Sequence, residues 1–181
     1  MGAWRGHRQG QPKRQVSQLI PGGLVHIYLL SVGTRLPEWV DHACTHYARR
    51  MPAHCRFQLK EISAGKRTKG SDIRRILRDE GERLLAAVPH DCHVIALERT
   101  GKAIDTEALA GQMNNWFSSG RDVALLIGGP EGLSPECLER ADMLWSLSDL
   151  TLAHPVARIV LAEQLYRAWS ILENQPYHRA S

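Results

Sequence analysis

From Val25 onward, short apolar, β-branched runs alternate with longer segments that carry helix-start signals, and that alternation restricts the chain to one class of fold. The run VHIYLLSV (25–32) is closed by Gly33-Thr34, and Pro37 suits the first turn of a helix reaching about residue 50. CRFQLKEI (55–62) alternates with period two, as a strand with one buried face does. After the loop 63–70, Ser71 is placed to cap a helix to about Val88, with Pro89 behind it. CHVIALE (92–98), DVALLIG (122–128) and MLWSLS (143–148) complete the strand candidates. A further helix opens at Thr106 and ends near Gly120. Ser134-Pro135-Glu136 reads as an N-cap, a first-turn proline and an early acid, and the last helix runs from Pro155 to about Glu173. Strands and helices in this order predict a doubly wound α/β domain, a mainly parallel sheet with helices on both faces.

A chain of 181 residues with 43% apolar and 23% charged side chains is an ordinary globular protein, long enough to bury roughly 70% of its unfolded surface in one core. The formal charge of +4 points first to a nucleic-acid partner, but Arg5, Arg8, Lys13 and Arg14 lie ahead of residue 25 with no acid among them. Without those four, nineteen bases face nineteen acids, so only local patches can carry an electrostatic argument about the folded part. We expect residues 1–24 to be a disordered basic leader, with Val25 an alternative start, and residues 25–181 to form a single domain. Cys44, Cys55, Cys92 and Cys137 include no CxxC pair and read as reduced, buried thiols of a cytoplasmic protein. No apolar run approaches the roughly 20 residues of a membrane span.

Several segments hold candidate chemistry. LLIGGPEGLS (125–134) places glycines at the carboxyl end of an apolar strand, where open α/β sheets bind ligands, although it is neither GxGxxG nor a P-loop and also reads as a plain tight turn. AGKRTKGSDIRRILR (64–78) gathers Lys66, Arg67, Lys69, Arg74, Arg75 and Arg78 against Asp72, which suits phosphate docking or a solvated face. His42 and His46 share a helix face, yet no further ligands or HExxH context accompany them, so no metal is expected. Glu163 and Arg167 are i, i+4 partners. The tail NQPYHRAS offers in Tyr177, His178 and Arg179 a stacking ring, a group titrating near neutrality and a phosphate-binding fork, or only a frayed end. Val156, Ile159, Val160, Leu161, Leu165, Tyr166, Trp169 and Leu172 cover most of the last helix's circumference, which demands central burial or a partner subunit.

SVGTRLPEWV, ISAGKRTKGSDIRRIL, LLIGGPEGLS, WSLSDLTLAHPVARIVLAEQLYRAW and NQPYHR together resemble the large-subunit ribosomal RNA pseudouridine N3-methyltransferases of the SPOUT class, from about Val25 to Arg179. The resemblance implies a C-terminal trefoil knot, which pattern rules would have rejected. It also implies a homodimer with S-adenosyl-L-methionine in the knot, the cofactor lined by Leu97, Gly128, Leu147, Ser148, Asp149, Leu150, Thr151 and Leu152. The implied substrate is a pseudouridine of 23S rRNA in the assembled 70S ribosome, with Lys66, Arg67 and Lys69 docking the RNA and Tyr177, His178 and Arg179 at the reacting nucleotide. His178 either accepts the imide proton or orients the base while water takes it. Two rivals are a non-catalytic ribosome-binding protein on the same scaffold and a dinucleotide-dependent enzyme. The missing GxGxxG counts against the second.

Overall fold

The computed structural model describes residues 23–34 and 36–179, so the expected leader lies almost wholly outside the described residues. In chain order the elements are β1 (Val25–Val32), α1 (Glu38–Ala48), β2 (Cys55–Ile62), α2 (Ile73–Ala87), β3 (His93–Ala103), α3 (Thr106–Ser119), β4 (Val123–Ile127), α4 (Pro135–Arg140), β5 (Met143–Ser146) and α5 (His154–Leu172), followed by a 3-10 turn over Pro176–Arg179. The five strands are all parallel in the order β2-β1-β4-β3-β5. Parallel pairing leaves no room for hairpins, so every strand pair needs a crossover, which the intervening helices supply.

Strand alternation sorts the core into two layers. Val25, Ile27 and Leu29 of β1 point to one face, where α1, α3 and α5 cover them, together with Ile95, Leu125 and Trp145 of the other strands. Leu30 and Val32 point to the opposite face, under α2 and α4, with Val94, Ala124 and Leu126. Central β4 is buried along its whole length, whereas edge β2 keeps one half-solvated side, which is why VALLI reads as a continuous apolar run and CRFQLKEI as an alternating one.

Most of the expected boundaries hold within a residue or two, and the caps explain the exceptions. Asp72, not Ser71, caps α2 by accepting from the Arg75 amide at 3.2 Å, while Ser71 Oγ accepts from the Thr68 amide and closes the loop before it. Asp105 caps α3 and Ser134 caps α4 in the same way. Gly120 ends α3 at φ 66°, the left-handed geometry that glycine adopts without a Cβ penalty. β3 outruns its expected end because the chain bulges between Leu97 and Lys102 and then pairs with β5 again at Trp145 and Ser146. A Cβ on Gly101 would lie 2.7 Å from the Trp145 backbone, so only glycine fits at that return.

The apolar circumference of α5 is answered in large part inside the chain. Leu161, Ala162, Leu165, Tyr166, Ala168 and Trp169 are buried between the sheet, α1 and α3. Arg158, with no exposed surface, locks the helix to the sheet: Nε donates to Ser31 Oγ at 2.9 Å, Nη1 to Glu61 at 2.9 Å, and Nη2 to the carbonyls of Val32 and Gly33. Val156 on α5 and Trp39 on α1 stay 40% and 55% exposed among the described residues.

Candidate active site

At the carboxyl ends of β3, β4 and β5 three loops enclose a cavity of about 420 Å³. Its first wall is Leu97, Glu98 and Arg99, the start of the β3 bulge. The second is the turn from Ile127 to Gly132, and the third runs from Trp145 through the loop to Leu152 and reaches His154 at the start of α5. Leu97, where the register shift begins, thus belongs to the lining, and Arg99 Nη1 donates to Thr151 Oγ1 at 3.4 Å between the first and third walls.

The glycine turn is tight for a reason legible atom by atom. Gly132, at φ 88°, donates its amide to the Gly129 carbonyl at 2.9 Å, and a Cβ on Gly128 would sit 2.0 Å from the Gly132 oxygen. Side chains are thus excluded at Gly128 and Gly129, where the backbone itself forms the lining, and Glu131 supplies the turn's charged side chain. Across the cavity, Ser148 Oγ accepts from the Leu150 amide and its carbonyl accepts from Ser146 Oγ, which fixes the loop after β5. His154 is half-buried here. Burial first, then the Arg158 guanidinium, hold its imidazole below the ordinary value of 6.5, with the Gly129 backbone pulling the other way.

Of the positions expected to line a cofactor pocket, Leu97, Gly128, Leu147, Ser148, Leu150, Thr151 and Leu152 surround this cavity, and Asp149 stands outside its lining, exposed. Glu98, Glu131 and His154, which sequence reasoning did not single out, join it. The GGPEG run held the signal for Glu131; nothing local marks His154, which arrives through the packing of α5.

The basic loop divides. Lys66 and Lys69 are exposed, as docking residues must be. Arg67 is not available for that role, because its guanidinium is engaged by the carboxylates of Glu80 and Glu131 and by the Gly65 carbonyl. Geometry moves it from the RNA-facing set to an internal bridge, since a guanidinium has five donors and none remains.

The tail is likewise anchored. Tyr177 is half-buried, packs edge-on against Tyr166 at 4.7 Å between centroids, and donates its hydroxyl to Glu163 at 3.1 Å. Arg50 and Arg167 lie over its ring at 5.1 and 5.0 Å. The phenol is pushed well above its usual range, chiefly by burial and then by its Tyr47 and Glu163 neighbours, so it stays protonated. An expected base-stacking ring is therefore occupied within its own chain. Arg179 is exposed and bonds Asn174; the backbone of His178 lies in the 3-10 turn, and its side chain falls outside the described residues. His42 pairs with Glu38 and His46 lies 3.3 Å from Arg50, and among the described residues no cluster of three or more potential metal ligands occurs. All four cysteines are free and buried, and among the described residues no helix is long and apolar enough to cross a membrane.

Known proteins share this sequence and fold. The family model described as "Predicted SPOUT methyltransferase" matches residues 25–178. The chain is 52% identical over 155 residues to "Ribosomal RNA large subunit methyltransferase H" of Thioalkalivibrio sulfidiphilus, covering 86% of this chain and 99% of that protein. It is 50% identical to the protein of the same name from Methylococcus capsulatus, covering 86% of this chain and 100% of the relative. Among solved structures, a probable methylase family protein from Haemophilus influenzae superposes with a TM-score of 0.52 at 15% identity, over 83% of this chain and 69% of that one, and so speaks to the fold alone. With a family match across the described sheet and relatives at half identity over nearly their whole length, the chain belongs to the SPOUT methyltransferase family.

Proposed function

We propose that this protein is a cytoplasmic, S-adenosyl-L-methionine-dependent methyltransferase of the large ribosomal subunit, acting at N3 of a pseudouridine of 23S rRNA in the assembled 70S ribosome. The observation that carries this reading is the cavity itself, because seven positions named from the sequence as donor contacts meet around it from three different strand ends. Its volume lies in the range of small-molecule sites, and the crevice beyond the carboxyl ends of parallel strands is where open α/β sheets bind ligands.

The lining suits the donor. Leu97, Leu147 and Leu152 supply apolar surface for an adenine ring, the Gly128–Gly132 turn and the Ser148 loop supply backbone polar groups, and Glu98 and Glu131 place negative charge near a cationic ligand. When bound there, the donor supplies an activated methyl on a positively charged sulfur, a good leaving group. The chain must then position the base in line and remove the N3 proton, tasks worth far more than any direct bond to the methyl. The imidazole of His178 accepts that proton in this reading, while Arg179 holds a phosphate and Lys66 and Lys69 dock the surrounding RNA. Tyr177 anchors the turn that presents them.

The reading also requires a homodimer. α5 begins at the cavity with His154, and the tail packs back on Glu163 and Tyr166, nine and twelve residues further along the helix, about 14–18 Å of axial rise away. In this reading a two-fold pair joined through the exposed Val156 and Trp39 of α5 and α1 brings one chain's tail to the other's cavity. The trefoil knot belongs to the same reading: after β5, outside β3, the chain returns across the strand ends to seat Arg158 on β1.

Mixed dimers test the whole proposal. Gly128→Ala should abolish donor binding and His178→Ala proton removal, each leaving a homodimer inactive on ribosomes. A mixture of the two should recover a substantial part of the wild-type rate through the heterodimer's one intact composite site. No recovery, with dimers shown to exchange, counts against a shared site. Full activity of His178→Ala in single turnover removes the proton-acceptor role.

A further inference from the structure

The loop after β2 and the turn after β4 are joined by one side chain. Arg67 spends every hydrogen of its guanidinium on the bridge: Nε and Nη2 reach Glu131, Nη1 and Nη2 reach Glu80 at 2.9 and 3.1 Å, and the second Nη1 hydrogen reaches the Gly65 carbonyl at 3.0 Å. Glu80, on α2, is 1% exposed and takes a further bond from the Gly65 amide at 2.7 Å, so it is a fixed post in the core. Glu131 sits at the cavity wall between Pro130 and Gly132.

An independent feature ties the bridge to the cavity. A Cβ on Gly129 would lie 2.7 Å from Glu80 Oε2 and 3.1 Å from Arg67 Nη2, so the cavity turn lies directly on the ion pair, and glycine is what allows it to. The Arg67 fork also holds the Glu131 carboxyl below its usual range, with the side-chain hydrogen bond as the main cause. The turn is therefore clamped from the side and from beneath by the same guanidinium.

We propose that Arg67 is a positioning residue for the methyl-donor cavity, which holds the Gly128–Gly132 turn in its binding shape by gripping Glu131 from the buried Glu80. This rests on the reading that the cavity takes S-adenosyl-L-methionine. Cutting the tether leaves the turn sampling other shapes, and donor affinity falls by the fraction of time the binding shape is populated. Lysine cannot substitute, since a point charge with three donors cannot fork to two carboxylates and a carbonyl.

Calorimetry with S-adenosyl-L-methionine on wild type, Glu131→Ala, Arg67→Lys and the reference Glu107→Ala, an exposed acid on α3, decides the matter. Both bridge variants should bind at least fivefold more weakly and Glu107→Ala within twofold of wild type. On ribosomes Arg67→Lys, which leaves the Glu131 carboxylate in the lining, should raise the donor KM by the same factor. Amide exchange over residues 128–132 should be faster in donor-free Glu131→Ala and return to the wild-type level on saturation, a response that a general loss of stability does not give. Wild-type donor affinity in Glu131→Ala and Arg67→Lys, or an equal loss in Glu107→Ala, overturns the inference. Absence of donor binding by folded wild type instead overturns the reading of the cavity.

Discussion

Tyr177 hands its phenolic hydrogen to Glu163 across 3.1 Å, and Glu163 in turn is held by Arg167 at 2.8 Å, so the 3-10 turn at the end of the chain is stapled to the outer side of α5. Tyr47 at 3.5 Å and Arg50 over the ring bring α1 into the same cluster. Removing the hydroxyl in Tyr177→Phe should cost about 1 kcal/mol of local anchoring. We expect methyl transfer to ribosomes to fall severalfold while donor affinity stays unchanged. Transfer at the wild-type rate, measured in single turnover, would show that this anchor is irrelevant to presenting His178 and Arg179.

Arg158 crosses the chain from α5 to the ends of β1 and β2, and its burial lowers the pKa of the guanidinium even against the pull of Glu61. Replacement by methionine leaves Ser31, Glu61 and two carbonyls without their donor, and breaking one side of such a buried set costs about 3–5 kcal/mol. Denaturant unfolding should register a loss of unfolding free energy of that size, seen as a lower midpoint with little change of slope. A loss under about 1 kcal/mol would mean that water replaces the guanidinium freely.

His154 gives the protein an acid-side weakness. The imidazole titrates below 6.5 when folded, because burial and Arg158 disfavour its charged form. In the unfolded chain it takes its proton near 6.5, so below that pH the unfolded state binds more protons and stability falls as pH falls. Glu131 adds a second, more acid loss: its folded value lies below 4.5, so its contribution is present above that and disappears as pH drops through the folded value. His154→Gln should flatten the profile in the window just below 6.5 and leave the more acid limb. Thermal melts from pH 7.5 to 4 of the two proteins read this directly, and superimposable profiles would exclude His154 as the source.

Much of the fold was legible in order along the chain. β1, β2 and β4 are continuous or alternating apolar runs whose pattern is set by whether both faces or one are buried, a property each strand expresses locally. Ser134 as a cap and Pro135 in the first turn of α4 are equally local, because a cap needs only its own next residues. The cap of α2 was misplaced by one residue, read at Ser71 where Asp72 serves, since both residue types can cap and only the fold of the loop 63–70 decides which hydroxyl or carboxylate is free.

The role of Arg67 was not legible at all. In the sequence it is one base among six beside exposed Lys66 and Lys69; in the fold its partners, Glu80 and Glu131, come from 13 and 64 residues away. Tyr177 shows the same limit, its ring taken up by Tyr166 and two arginines that no spacing rule connects to it. What the sequence alone determined is the parallel α/β framework and the glycine turn at a strand end, because periodicity and backbone sterics act between near neighbours. Only the tertiary structure decided which charges face outward and which are consumed inside, because a guanidinium or carboxylate carries the same charge in either place and its partner is chosen by distances the chain order does not contain.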